Sequence, residues 1–220
     1  MTTFTAATLT RIRLNHRSPT VRRDLADAVQ LHKTLMRLAA DGLGPNPRQQ
    51  AGLLFRLDDD PHPTLLVQTS HPPHLDRLPP GYGTAETRNL TPMLGALTVG
   101  LLVHYRITAN ASTRLPDRAP GAGPERRTRD TRGKVIKLTG ERALTWWHHR
   151  ATRAGLAVHT TAAAPRPFRV AREQPGPRHP LTRFDGIAEI LDPDALTRAL
   201  LDGIGRGKAY GAGLLSLAPA

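Results

Sequence analysis

Cysteine is missing from all 220 residues, which excludes a disulfide framework and thiolate zinc sites and suits a reducing cytoplasm. Aromatic residues are scarce at 4%, so the core must be built from Leu, Val, Ile and Ala, with Trp146 and Trp147 as its tryptophans. Long apolar runs are lacking too. The longest, around Leu97–Tyr105, is too short to span a bilayer, and the opening MTTFTAATLTRIRL has no apolar stretch after a basic start. No signal peptide and no membrane span are expected, and a cytoplasmic location is. Acids are also few: 18 Asp and Glu stand against 31 Lys and Arg, for a net charge of +13. Such a surplus suits a polyanion, because each phosphate neutralised by a cation releases condensed counterions. Arg and Pro richness also follows from GC-rich coding, but that bias does not leave the acids so far behind. An anionic lipid surface is the weaker competitor for this charge.

The pattern of residues gives a mixed chain. Ala7–Asn15 alternates as a strand, and Ser18-Pro19 opens a helix. That helix is predicted to carry Leu25, Ala28, Leu31, His32, Leu35, Leu38 and Ala39 on one side and to end near Asp41-Gly42. Gly52–Leu57 and Thr64–Thr69 are short strands joined by the turn Asp58-Asp59-Asp60-Pro61, whose carboxylates diverge and are expected in solvent, not on a metal. His71–Gly83 is irregular, with room for one helical turn, and Thr84–Leu90 is a fourth strand. The second part begins with a strand at Leu97–Ala109 and a mobile Pro-, Gly- and Arg-rich loop at Leu115–Gly133. A helix at Thr139–Gly155 capped near Thr139, strands at Leu156–Ala162 and Phe184–Leu191, a helix at Pro193–Ile204 capped by Asp192, and a strand at Gly213–Ala218 complete it. Both parts share one rhythm of strands and helices. The expected fold is α+β: two tandem ferredoxin-like (RRM-like) domains, 1–95 and 96–220, with a basic groove at their junction.

Near the end, Gly203, Gly205, Gly207, Gly211 and Gly213 surround Arg206 and Lys208. Glycines let backbone amides approach phosphate closely. A Walker A loop would place glycine at position 202 and Ser or Thr at 209, where Asp202 and Ala209 stand. A Rossmann loop would lie between a strand and the following helix, and this one lies between a helix and the last strand. What is left is a glycine loop carrying two cations on a sheet edge, suited to RNA backbone. No pair of His or acidic residues has convincing metal spacing, and the adjacent His148 and His149 are expected to be structural.

Phe184-Asp185-Gly186, then DPDAL at 192–196, the glycine loop and GLLSLAP at 213–219 resemble the C-terminal end of CasE-type CRISPR endoribonucleases. RITAN at 106–110, GKVIKL at 133–138 and RDLADAVQLHKTL at 23–35, with its Leu-His pair, resemble further parts of that family. On spacing alone, His32 lies beside the apolar stripe of its helix and suits a core histidine. The resemblance implies that it is the catalytic residue, and an imidazole fits, titrating near neutrality. The family shows a tyrosine one helical turn earlier, where this chain has Val29.

The resemblance further implies an endoribonuclease that needs no metal and no cofactor and cuts CRISPR repeat hairpins in precursor RNA into guide RNA. A 2′-hydroxyl would attack, leaving a 2′,3′-cyclic phosphate and a 5′-hydroxyl. The product would stay bound and the protein would join the other subunits of Cascade. RNA contacts are expected from Lys33, Lys134, Lys137, Arg166, Arg169, Arg172, Arg178, His179, Arg206 and Lys208, five of them in the basic segment Pro165–Arg183. The alternative is a non-catalytic hairpin-binding subunit of the same complex, which Val29 favours.

Overall fold

The computed structural model describes residues 7–59, 62–114, 135–166 and 181–220. Alternation in Thr8–Leu14 forms β1, which buries Ile12 and Leu14 and exposes Arg11 and Arg13. Helices α1 (Pro19–Ala26) and α2 (Ala28–Met36), a short α3 (Pro47–Gln50), and strands β2 (Leu54–Asp58), β3 (Thr64–Thr69) and β4 (Gly83–Asn89) follow. All neighbours are antiparallel, in the order β2-β3-β1-β4. Val21 of α1 and Leu31 and Leu35 of α2 share one buried cluster with Ile12, Leu65 and Val67 of the sheet. This is the ferredoxin-like order, with a single 3₁₀ turn at Leu75–Arg77 where the second crossover helix would stand.

The second half repeats the plan. A short α4 (Thr91–Gly95) leads into β5 (Leu102–Ala109), the hairpin strands β6 (Ser112–Arg114) and β7 (Val135–Lys137), and helix α5 (Glu141–Arg153). Strands β8 (Leu156–Val158), β9 (Ala162–Arg166) and β10 (Leu181–Ile190), helix α6 (Pro193–Asp202) and strand β11 (Leu215–Pro219) complete it. The sheet runs β11-β5-β10-β8, with β9 also paired to β10. Trp147 is fully buried between α5 and this sheet, its ring 5.6 Å from that of Phe184 and 5.3 Å from that of Tyr105. The motifs RITAN and FDG are direct neighbours, since Arg106 faces Asp185 and Ile107 faces Phe184.

The structure corrects the expected elements in five places. The long first helix is two helices, because Asp27 is extended (φ −141°, ψ 109°) and its carboxylate accepts a 2.9 Å bond from the Val29 amide, capping a new helix. Gly140, not Thr139, stands at the N-cap of α5. The strand expected at 156–162 is divided between β8 and β9, and the one expected from Leu97 starts only at Leu102. The acidic turn is not simply solvated: Asp58 is bonded to the buried Arg56 and Asp59 to Arg166.

Two buried polar side chains join the halves. Arg56 of β2 donates to the Arg106 carbonyl (2.9 Å) and the Ser216 hydroxyl (2.8 Å), while Asp58 holds the rest of its guanidinium. Gln68 of β3 donates to the carbonyls of Leu200 (3.0 Å) and Leu201 (3.2 Å) in the last turn of α6, where carbonyls have no partner within the helix. Among the described residues no helix is long and apolar enough to cross a membrane.

Candidate active site and nucleic-acid interface

Helix α2 sets the position of His32. Leu31, Thr34 and Leu35 face the core, so His32 lies at the border of the buried stripe, half-buried, with Lys33 exposed beside it. Its Nδ1 is buried and has no hydrogen-bond partner among the described residues. The helix packs against the 3₁₀ turn Lys208–Tyr210 of the glycine loop. The loop belongs to the second half and the helix to the first, so the histidine stands where the two halves meet.

That loop is closed at its neck. The Ile204 amide donates to the Gly213 carbonyl (2.9 Å), and the Gly213 amide to the Thr108 carbonyl of β5 (2.8 Å). Gly203, Gly205, Gly207, Gly211 and Gly213 all take positive φ. At Gly203 (φ +75°) a Cβ would stand 2.7 Å from the Leu54 side chain, and at Gly211 (φ +83°) 3.2 Å from the Phe55 ring. Two glycines are therefore required twice over, by backbone angle and by the closeness of β2.

A third cation completes the cluster and was not legible in the sequence. Arg48 lies in α3, a single turn with no periodicity to mark it, and its Nη1 donates to the Leu53 carbonyl at 2.9 Å. Arg48 and Lys208 line one polar cleft between α3, β3 and the end of α6. Burial pushes the His32 imidazole below its ordinary pKa, and the Arg48 charge pushes it further. Lys208 is lowered by burial and then by Arg48, with Asp202 opposing. Burial likewise lowers Arg48. Neither Arg48 nor Lys208 forms an ion pair among the described residues; Lys208 donates instead to the Asp202 carbonyl at 2.7 Å. Two like charges with Asp202 as the one carboxylate in the lining of their cleft make a place where an anion is stabilised.

The other expected contact residues are scattered. Arg206 is exposed on the loop and Lys137 is exposed on β7. Arg166 is engaged within the protein, 2.9 Å from the Asp59 carboxylate and 3.3 Å from the Leu57 carbonyl. Lys134, Arg169, Arg172, Arg178 and His179, with the whole loop expected at 115–133, lie outside the described residues. The cleft where α1 and α2 meet the second half is largely apolar, lined by Leu25, Ala28, Leu31, Phe55 and Tyr210, with Arg166 its only described cation. Among the described residues this cleft is an apolar seam, and Arg48 and Lys208 meet in the other cleft. Among the described residues no group of three or more His, Asp or Glu is spaced to hold a metal ion.

Comparison with known proteins agrees with this arrangement. The family model described as CRISPR associated protein matches residues 9–219. The CRISPR-associated endoribonuclease Cse3 of Thermus thermophilus is 29% identical over 228 aligned positions, covering 96% of this chain and 99% of that protein. A solved structure of CRISPR endoribonuclease Cse3 bound to a 19-nucleotide RNA superposes with a TM-score of 0.78 at 30% identity, covering 97% of this chain and 98% of that one. A chain from a CRISPR RNA-guided surveillance complex is 40% identical, with a TM-score of 0.67 and coverage of 97% and 100%. A match across nearly the whole length, together with two ferredoxin-like units carrying the Leu-His helix against a glycine loop, establishes the family: the chain belongs to the CRISPR associated protein family and is of the CasE type.

Proposed function

We propose that this chain is an endoribonuclease that cuts CRISPR repeat hairpins in precursor RNA and remains with the product in a surveillance complex. The observation that carries the proposal is the placing of His32, its buried Nδ1 without a partner among the described residues, on a helix packed against the turn of Lys208, with the Arg48 charge acting on both. Relatives named as endoribonucleases, one solved with RNA, support the same reading. Those in a surveillance complex support the assembly.

The chemistry follows from the groups. A histidine held below its usual pKa is neutral at pH 7 and can accept the proton of a ribose 2′-hydroxyl. The alkoxide attacks the adjacent phosphorus, the P–O5′ bond breaks, and the products are a 2′,3′-cyclic phosphate and a 5′-hydroxyl. Arg48 and Lys208 offset the extra negative charge of the pentacoordinate phosphorus, and preorganised charge of this kind is commonly the largest catalytic contribution. Lys208, whose pKa is lowered by burial and by Arg48, supplies a proton to the departing oxygen. Lys33 holds RNA backbone beside the cut, and Lys137 and Arg206 hold it elsewhere on the second half. No step in this scheme requires a metal ion.

The test is cleavage of the cognate repeat hairpin in EDTA, with all-ribose RNA and with one 2′-deoxy substitution upstream of the scissile phosphate. The ribose substrate should be cut to a cyclic phosphate, and the deoxy substrate should bind but stay whole. Cutting of the deoxy RNA, or loss of all cutting in EDTA, would overturn the mechanism. Binding of the hairpin without any cutting would leave the non-catalytic reading, which Val29 supports.

A further inference from the structure

A second cationic cleft lies on the other half of the molecule. It is lined by Arg114 at the end of β6, His149 and Arg150 in α5, Arg206 of the glycine loop, and Trp146 and Asn110, and it encloses about 510 Å³. It shares no lining residue with the cleft of Arg48 and Lys208. Among the described residues no carboxylate lines it, and none of its three arginines forms an ion pair.

Exposed arginines are usually just solvated, but two of these are braced. The Arg150 guanidinium lies 5.6 Å from the centre of the Trp146 ring, a cation–π contact that fixes a side chain with much rotamer freedom. Gly205 packs on the same indole, where a Cβ would stand 3.5 Å from Cη2, so the backbone beside Arg206 is held on the platform that carries Arg150. Three guanidiniums arriving from a strand, a helix and a loop repel one another in the free protein, and an anion between them relieves that repulsion. A guanidinium presents a planar fork of donors that matches phosphate oxygens. The loop joins the two clefts, since Arg206 faces this one and Lys208 the other, two residues apart and so within about 7 Å along the chain. That is close enough for neighbouring stretches of one bound RNA to reach both.

We propose that Arg114, Arg150 and Arg206, braced by Trp146, form a second phosphate-binding cleft that holds RNA backbone beyond the glycine loop from His32. This rests on the reading of the chain as an RNA-processing protein and adds to it a site for RNA that takes no part in the chemistry.

The experiment is the salt dependence of binding, measured by fluorescence anisotropy with labelled repeat hairpin between about 50 and 200 mM salt. Arg114→Gln and Arg150→Gln should each flatten the slope of log affinity against log salt by about 0.7–0.9 and weaken binding several-fold at low salt. Arg150→Lys, which keeps the charge, should restore most of the slope. Should Arg150→Gln melt early, Arg114→Gln at the end of a short surface strand carries the test alone. Wild-type slopes in folded Arg114→Gln and Arg150→Gln proteins would overturn the site. The same titrations with a scrambled hairpin separate the two readings: equal binding of both RNAs by the wild type counts against repeat processing, whereas slope loss in the variants still reports the cleft.

Discussion

The Nη1 of Arg56 donates to the backbone carbonyl of Arg106 across 2.9 Å, joining β2 of the first sheet to β5 of the second. A residue that is 2% exposed thus ties together the two halves that set α2 against the glycine loop. The Ser216 hydroxyl and the Asp58 carboxylate satisfy its other donors, so the cost of burying a charge is met within the protein.

Replacing Arg56 by Met leaves the buried end of Asp58 without its guanidinium and removes one donor to the Arg106 carbonyl, which keeps the Ser216 hydroxyl. Removing one member of a buried pair typically costs about 3–5 kcal/mol, and a fall of that size is expected in chemical denaturation. Cleavage should drop as well, since the site is built from both halves. A variant with wild-type stability would show that the halves are held by apolar packing alone.

His32→Ala should slow single-turnover cleavage by about 10²–10⁴-fold, the usual reach of a positioned acid or base, with hairpin affinity little changed. The pH profile carries a sign. Burial and Arg48 lower the imidazole pKa, so in the free enzyme the rate at sub-saturating protein should rise with pH and level off at or below the ordinary histidine value near 6.5. With RNA saturating, phosphate charge stabilises the imidazolium and the rise should move to higher pH. For the same reason the histidine's contribution to stability is present above the unfolded pKa and lost as pH falls through it. A rise centred above neutrality in the free enzyme would remove His32 as the base.

Arg48→Gln tests the cation that sequence alone did not reveal. Its loss should cut the single-turnover rate by about 10–10³-fold, in the range of removing one stabilising donor. It should also move the acid limb of the free-enzyme profile toward higher pH, because the charge that depresses His32 is gone. A defect confined to folding would leave the limb where it was, and an unmoved limb with a normal rate would return Arg48 to a structural role at the Leu53 carbonyl.

Val29 is half-buried one turn before His32, where the family resemblance sets a tyrosine. If Lys208 has taken over that proton, Val29→Tyr should raise the single-turnover rate by less than about tenfold, below the usual reach of a positioned acid. Of the three groups considered from sequence, Lys33 is exposed, His179 lies outside the described residues, and Lys208 belongs to the turn packed on α2. A gain of a hundredfold or more would mean that the position was empty of function, and the hairpin-binding reading would replace the enzyme.

The order of strands and helices was legible because each element buries one face at its own period, as in β1 and in α6 behind its Asp192 cap. The break at Asp27 was hidden for a related reason. Leu25, Ala28, Leu31 and Leu35 keep helical spacing across it, and Ala26 and Ala28 are good helix formers; only the capping ability of Asp hinted otherwise. Arg48 left no trace, since a four-residue turn has no period, and its neighbours in space come from residues 32 and 208. The pairing of Arg166 with Asp59 links residues more than a hundred apart, and charge composition alone made Arg166 look available to RNA.

The contacts of the glycine loop bear on how far its function can be transplanted. Gly203 and Gly211 are shaped by Leu54 and Phe55, which belong to the other half of the protein. A second half made alone would keep its own sheet but lose the surface that moulds the loop. A chimaera joining this loop to a foreign first half would need matching residues at positions 54 and 55 before Lys208 could meet a histidine. The two halves are therefore bound to change together, as one unit of inheritance, although each has the outline of a separate ferredoxin-like fold.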